Sequence, residues 1–208
     1  MHLLVLQFQN AELLQYLTKP ALASSLIIFM LLDGRPKKWK NDDLLFISGL
    51  VFCLIGDSLL MLDGFFIPGL IAFLIAQCIF ALAFFLTNKG KEGYIQRNPW
   101  LIIPFALFGI GMVATLEPYA PDFLLPIIAY SFVLLTMAMS ALNRFRVVIN
   151  GSFEFVAIGA LCFVISDCIL ALNRFANEIP FADISIMLTY GLAIFLLTYG
   201  MTQFRDES

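Results

Sequence analysis

Residues 66–87, FIPGLIAFLIAQCIFALAFFLT, hold no charged side chain. A helix needs about 20 apolar residues to cross the hydrocarbon core of a bilayer, and this stretch has them. Six others read the same way, at about 11–32, 43–62, 99–116, 123–142, 153–173 and 182–204. Turn and helix-stop residues separate them: Asp33-Gly34-Arg35-Pro36, Asp63-Gly64, Asn88-Lys89-Gly90, Glu117-Pro118, Asn150-Gly151 and Asn177-Glu178-Ile179-Pro180. Backbone polar groups cannot go unpaired in lipid, and runs without alternation suit helices, not barrel strands. Composition agrees: 61% of residues are hydrophobic and 13% charged, where soluble domains have about half and a quarter. The expectation is an all-α polytopic membrane helical bundle, a single integral-membrane domain over residues 1–208. It has seven transmembrane helices, or eight if residues 1–10 form a short element ahead of Lys19-Pro20.

The loops set the orientation. Arg35, Lys37, Lys38, Lys40, Lys89, Lys91, Arg97, Arg144, Arg146 and Arg205 fall on one side, and only Lys19 and Arg174 on the other. The positive-inside rule then puts the C-terminus in the cytoplasm, in keeping with a bacterial inner membrane. The opening MHLLVLQFQNAELL lacks the basic stretch and cleavage site of a removable signal peptide. No basic stripe or phosphate-cradling glycine loop offers nucleic acid or nucleotides a seat, and no obligate protein partner is indicated. Cys53, Cys78, Cys162 and Cys168 lie in apolar stretches without C-x-x-C spacing and read as small buried hydrophobes. With His2 the sole histidine, no metal or other cofactor is expected.

Against this background two carboxylates stand out. CLIGDSLLML surrounds Asp57, and FVISDCILAL surrounds Asp167. Each lies 14 residues into its span from the cytoplasmic side, about 21 Å along the helix. An ionisable residue at such a level costs roughly 2.5–3.5 kcal/mol on insertion scales, so two at one level suggest a shared polar pocket. Gly49, Cys53, Gly56, Asp57 and Leu60 share one face of the second span; Gly159, Ala160, Phe163, Asp167 and Ala171 share one face of the sixth. Small residues let helices approach closely, so both acids are expected to face inward, with these two spans side by side around a common cavity. Lys19, Gln77, Tyr130, Ser131 and Tyr190 reach the same layer, and Ser58 and Ser166 flank the acids. Each aspartate also admits a lesser reading as a structural tie, weaker still for two at matched depth, and Lys19 reads equally as a side chain snorkelling to the interface. ALNRF occurs at 141–145 and 171–175 and reads as helix-end punctuation, although Arg174 is placed to meet a phosphate.

Several short motifs occur in a specific order. They are Lys19-Pro20, Gly56-Asp57-x-x-Leu60, GLIAFLIAQ at 69–77, Pro126 with Tyr130, GALCFVISD at 159–167 and Leu188-Thr189-Tyr190. In this the chain resembles the YhhN/TMEM86 family, whose characterised members are lysoplasmalogenases. That family often carries His where this chain has Gln77, and has a full helix ahead of the Lys-Pro segment. The resemblance implies hydrolysis of the sn-1 vinyl ether of a lysophospholipid within the membrane, giving a fatty aldehyde and a glycerophospho-alcohol. The catalytic residues would be Asp57 and Asp167, and Lys19, Gln77, Tyr130, Tyr190 and Ser166 would contact the substrate. Vinyl ether hydrolysis begins with protonation of the β carbon and leaves an oxocarbenium ion for water. One carboxyl can supply the proton and an ionised second one can stabilise the cation. The sequence does not fix which aspartate is the acid; the bulkier neighbours of Asp167 tilt the choice only slightly toward it. Two other classes accommodate paired intramembrane acids: a small proton-coupled transporter, and a lipid-binding membrane protein without turnover. The two acidic spans enter from the same side, so they are not an inverted pair.

Overall fold

The computed structural model describes residues 20–32, 41–88, 90–148 and 151–207. Among them no strand occurs, and six helices are long and apolar enough to cross a membrane: Asn41–Leu60, Phe66–Leu86, Pro99–Leu116, Pro121–Leu142, Ser152–Ala176 and Ala182–Phe204. Each matches an expected span to within a few residues. The chain is therefore an all-α polytopic membrane bundle. Of the first expected span, residues 20–32 form the helix Pro20–Leu32; residues 11–19, with Lys19, lie outside the described residues, as does the 33–40 loop.

We label the helices α1 (Pro20–Leu32), α2 (Asn41–Leu60), α3 (Phe66–Leu86), α4 (Tyr94–Arg97), α5 (Ile102–Leu116), α6 (Leu124–Leu142), α7 (Ser152–Ala171) and α8 (Ala182–Glu207). Single 3-10 turns at Pro99–Leu101 and Pro121–Phe123 lead into α5 and α6. The turns expected at Asp63-Gly64 and Asn88-Lys89-Gly90 are built on left-handed glycines, with φ of 81° at Gly64 and 76° at Gly90. The short α4, in a stretch expected to be loop, is pinned by Asn143: its backbone carbonyl accepts from the Tyr94 N–H and its side-chain Oδ1 from the Ile95 N–H.

Packing closes a ring. α2 lies on α3, α3 on α6, α6 on α7, α7 on α8, and α8 returns to α2. α1 adds Ala23, Leu26 and Met30 to the common core. α5 stands outside the ring against α6; Leu116 is its only fully shielded residue. The faces expected to turn inward do so: Asp57 is 4% exposed and Asp167 9%. The expected adjacency of the two acidic helices is not met. α2 packs chiefly on α3, and α7 on α8 and α6. Depth and face are set by a helix's own residues, whereas the order of helices around the ring is set by how all of them fit.

Lipid tails are as apolar as leucine, so helices here associate by close fit. α7 and α8 show this most directly. A Cβ on Gly159 would come within 2.9 Å of the Leu197 backbone nitrogen and 3.0 Å of the Ala193 oxygen. No side-chain rotation relieves such a contact, so Gly159→Leu is expected to pry α7 from α8. Overpacking of this kind costs about 1–3 kcal/mol, measurable as a lower unfolding midpoint of the purified protein in detergent; an unchanged midpoint would show that this crossing carries little of the bundle's stability.

The end of the bundle where α3 stops and α7 starts is fastened by Arg144. Expected to be a loop charge, it is fully buried. Its Nε donates to Thr87 Oγ1 (2.9 Å) and its Nη2 to Ser152 Oγ (2.8 Å). Ser152 Oγ in turn donates to the Gly200 carbonyl at 2.6 Å. The guanidinium lies 5.8 Å from the Phe84 ring centre and 5.5 Å from that of Phe204. One side chain thus ties the ends of α3, α6 and α7 to α8.

Candidate functional site

The polar residues of the middle of the bundle divide into two linked sets. In the first, Asp167 on α7 accepts two hydrogen bonds on one oxygen: Gln77 Nε2 of α3 donates to Oδ2 at 2.7 Å, and Tyr130 OH of α6 donates to the same atom at 2.8 Å. Gln77 Nε2 also donates to Tyr130 OH at 2.9 Å, closing a triangle. Gln77 is fully buried, and its Oε1 has no hydrogen-bond partner among the described residues. Such an orphan acceptor is uncommon in a protein interior and calls for an explanation.

In the second set, Asp57 on α2 accepts from Tyr190 OH of α8 at 2.8 Å. Cys53, one turn before Asp57, is buried on the same face of α2. Three rings join the sets. Phe73 of α3 and Phe163 of α7 meet edge-on at 6.4 Å, and Tyr190 stands edge-on to each, at 5.7 Å and 5.8 Å. Gly56 makes room for this cluster, since a Cβ there would strike the Phe73 ring.

Asp167 opens onto a cavity of about 240 Å³ between α3, α5, α6 and α7. Apart from Asp167, Tyr130, Ser131 and Cys168 the lining is hydrocarbon and aromatic, from residues such as Leu70, Leu74, Met112, Leu134 and Leu170. Asp57 does not line it. A second groove of about 490 Å³, nonpolar apart from Cys168, runs between α5, α6 and α7, and Cys168 is the one residue lining both spaces. The rim of the first cavity is aromatic, with Phe66 edge-on to Phe175 at 5.8 Å and Phe123 tilted on Phe175 at 5.6 Å.

Of the residues expected in a site, Asp167, Gln77 and Tyr130 are brought into direct contact, and Asp57 and Tyr190 form a second contact beside them. Ser166 turns away to α8, its hydroxyl 3.3 Å from the Ile186 carbonyl. Lys19 lies outside the described residues. Sequence reasoning did not single out Cys53 or the rim phenylalanines. Cys53 falls on the same face as Asp57, which was the available signal. Nothing in the spacing distinguishes Phe66, Phe123 and Phe175 from the other phenylalanines. Among the described residues no three His, Cys, Asp or Glu side chains gather to hold a metal.

Chemically, both donors converge on Oδ2 of Asp167. Its Oδ1 is therefore the oxygen left to a cavity that offers a bound molecule almost nothing but hydrocarbon. A carboxyl so held can exchange a proton with an apolar guest at one fixed position.

A sequence model described as the YhhN family matches residues 14–201. Lysoplasmalogenase TMEM86B of Homo sapiens is 32% identical over 152 residues, covering 73% of this chain and 60% of its own length. The protein of the same name from Sus scrofa is 34% identical over 158 residues, covering 76% and 63%. Lysoplasmalogenase TMEM86A of Homo sapiens is 27% identical over 164 residues, covering 76% and 65%. The chain thus spans about three fifths of the length of the first two of these relatives. No solved structure matches it.

Proposed function

Since the chain belongs to the YhhN family, we propose that it is a membrane hydrolase that cleaves the vinyl ether of lysoplasmalogens, with Asp167 as the general acid. The observation that carries this reading is the opening of Asp167 and Tyr130, held from behind by Gln77, onto a hydrocarbon-lined cavity inside the bundle. The named relatives are lysoplasmalogenases, which supports the substrate class.

The alkenyl chain enters the cavity with its double bond at Asp167. The Oδ1 proton moves to the β carbon, and the C=C electron pair forms the new C–H bond. The α carbon and ether oxygen become an oxocarbenium ion. Water adds to the α carbon while Asp167 takes one of its protons, restoring the acid. The resulting hemiacetal passes its hydroxyl proton to the glycerol oxygen, the C–O bond breaks, and fatty aldehyde and glycerophospho-alcohol leave. Net consumption is one water. Gln77 and Tyr130 hold Oδ2 and so aim Oδ1. Asp57, held by Tyr190, is the ionised partner that offsets the cation across the low-dielectric interior. The bias of basic residues toward one side of the bundle supports a cytoplasmic C-terminus, with the acids toward the outer leaflet.

The test is aldehyde release from a lysoplasmalogen by protein purified in detergent, with no ion gradient. A hydrolase releases it; a carrier or a lipid-binding protein does not. Gln77→Leu and Tyr130→Phe each remove one donor from Oδ2 and are expected to lower kcat about 10- to 100-fold with smaller effects on KM. Unchanged kcat in both would remove the triangle from the mechanism.

A further inference from the structure

The geometry points to Arg174 as the ligand for the phosphate of a single-chain lipid whose tail occupies the cavity at Asp167. This rests on the hydrolase reading for the identity of the tail site, and extends it to the headgroup.

α7 does not end as an ordinary helix. After Ala171 it widens into a π-helical turn, Leu172–Ala176, closed by the Asn177 N–H donating to the Leu172 carbonyl at 3.1 Å. Asn173 stiffens it from outside by accepting the Ile179 N–H at 2.8 Å. Turns of this kind appear often at functional sites because they re-aim side chains. Here the turn leaves Arg174 exposed while its guanidinium carbon sits 4.6 Å from the ring centre of Phe66. Phe66 and Phe175, which flank it, both line the cavity that Asp167 enters. Arg174 is thus a cation fixed on the rim of that cavity. Among the described residues no carboxylate lies within ion-pair distance of it. A guanidinium that rests on an aromatic face keeps its edge N–H donors, which suit a phosphate.

Spacing agrees. Arg174 follows Asp167 by seven residues, about 10 Å along a helix. In a glycerophospholipid the vinyl β carbon and the phosphorus are separated by seven covalent bonds, about 8 Å when extended. The flexible arginine side chain covers the difference. A lipid protonated at Asp167 therefore brings its phosphate to Arg174.

The test uses two non-hydrolysable probes, a saturated 1-alkyl glycerophosphoethanolamine and the matching 1-alkyl glycerol without phosphate. Binding to the full chain in detergent is read by calorimetry, and inhibition of turnover in parallel. Wild-type protein is expected to bind the phosphate probe at least tenfold more tightly than the glycerol ether. Arg174→Gln is expected to lose about 10- to 100-fold for the phosphate probe and nothing for the glycerol ether, with Arg174→Lys in between. If Arg174→Gln weakens both probes equally, or neither, the side chain only anchors the protein to bulk lipid and the assignment falls. It falls too if inorganic phosphate alone binds the wild type while both probes bind equally. Binding through Arg174 without aldehyde release would overturn the hydrolase reading and leave this one standing.

Discussion

Asp167→Asn is expected to abolish aldehyde release, lowering kcat by about 10²–10⁴-fold, the usual contribution of a positioned general acid. The substitution keeps size and shape. It also keeps an acceptor oxygen for Gln77 and Tyr130, which now hold Oδ2, so the helices that meet at the triangle have no cause to move. What it removes is the transferable proton. Thermal unfolding in detergent should therefore be nearly unchanged while turnover vanishes, and lipid binding should survive. Asp57→Asn is expected to act less severely, because Asp57 does not line the cavity and would stabilise the cation only at a distance. Its loss should fall wholly on kcat. Equal loss in the two variants would mean that Asp57 also touches substrate; near wild-type turnover in Asp167→Asn would end the mechanism.

The largest effect on stability is expected at Arg144. Arg144→Ala removes two hydrogen bonds to a charged group and empties a fully buried volume beside Phe84 and Phe204. A cost of about 2–4 kcal/mol follows, a fall in the unfolding midpoint of roughly 5–15 °C. Arg144→Lys should recover little, since an ammonium lacks the planar fork that spans Thr87 and Ser152. At low temperature kcat should be close to normal, as the cavity lies toward the opposite end of α3, α6 and α7. A thermal midpoint within a degree or two of wild type would show that the fastening is redundant. The variant also separates two readings of a basic residue near a membrane: one acting only through the positive-inside rule could be replaced by lysine without loss.

Much of this was legible because bilayer thickness disciplines a sequence. Six of the spans could be bounded from apolar length and turn residues alone. Gly56 and Gly159 marked the faces that turn inward, and with them Asp57 and Asp167. The layer in which Gln77, Tyr130 and Tyr190 would fall was also readable, because depth is a count of residues. Pairing was not. That Tyr130 meets Asp167 while Tyr190 meets Asp57 depends on the ring order of the helices, which no single helix encodes. The repeated ALNRF shows the limit most plainly. The same five residues end two helices, yet Arg144 is drawn into the core by Thr87 and Ser152, whereas Arg174 is swung out onto Phe66 by a widened turn. Identical local sequence met different neighbours.

The peripheral position of α5 has a consequence for how such a protein must be assayed. One wall of the cavity is a helix that holds to the rest chiefly through α6 and one turn beyond α7. Most of its remaining surface is exposed, so in a bilayer the annular lipids would bear on it directly, and their length and lateral pressure would help set the width of the gap beside it. Turnover in thin, loosely packed bilayers should then differ from turnover in thick, ordered ones at equal substrate mole fraction.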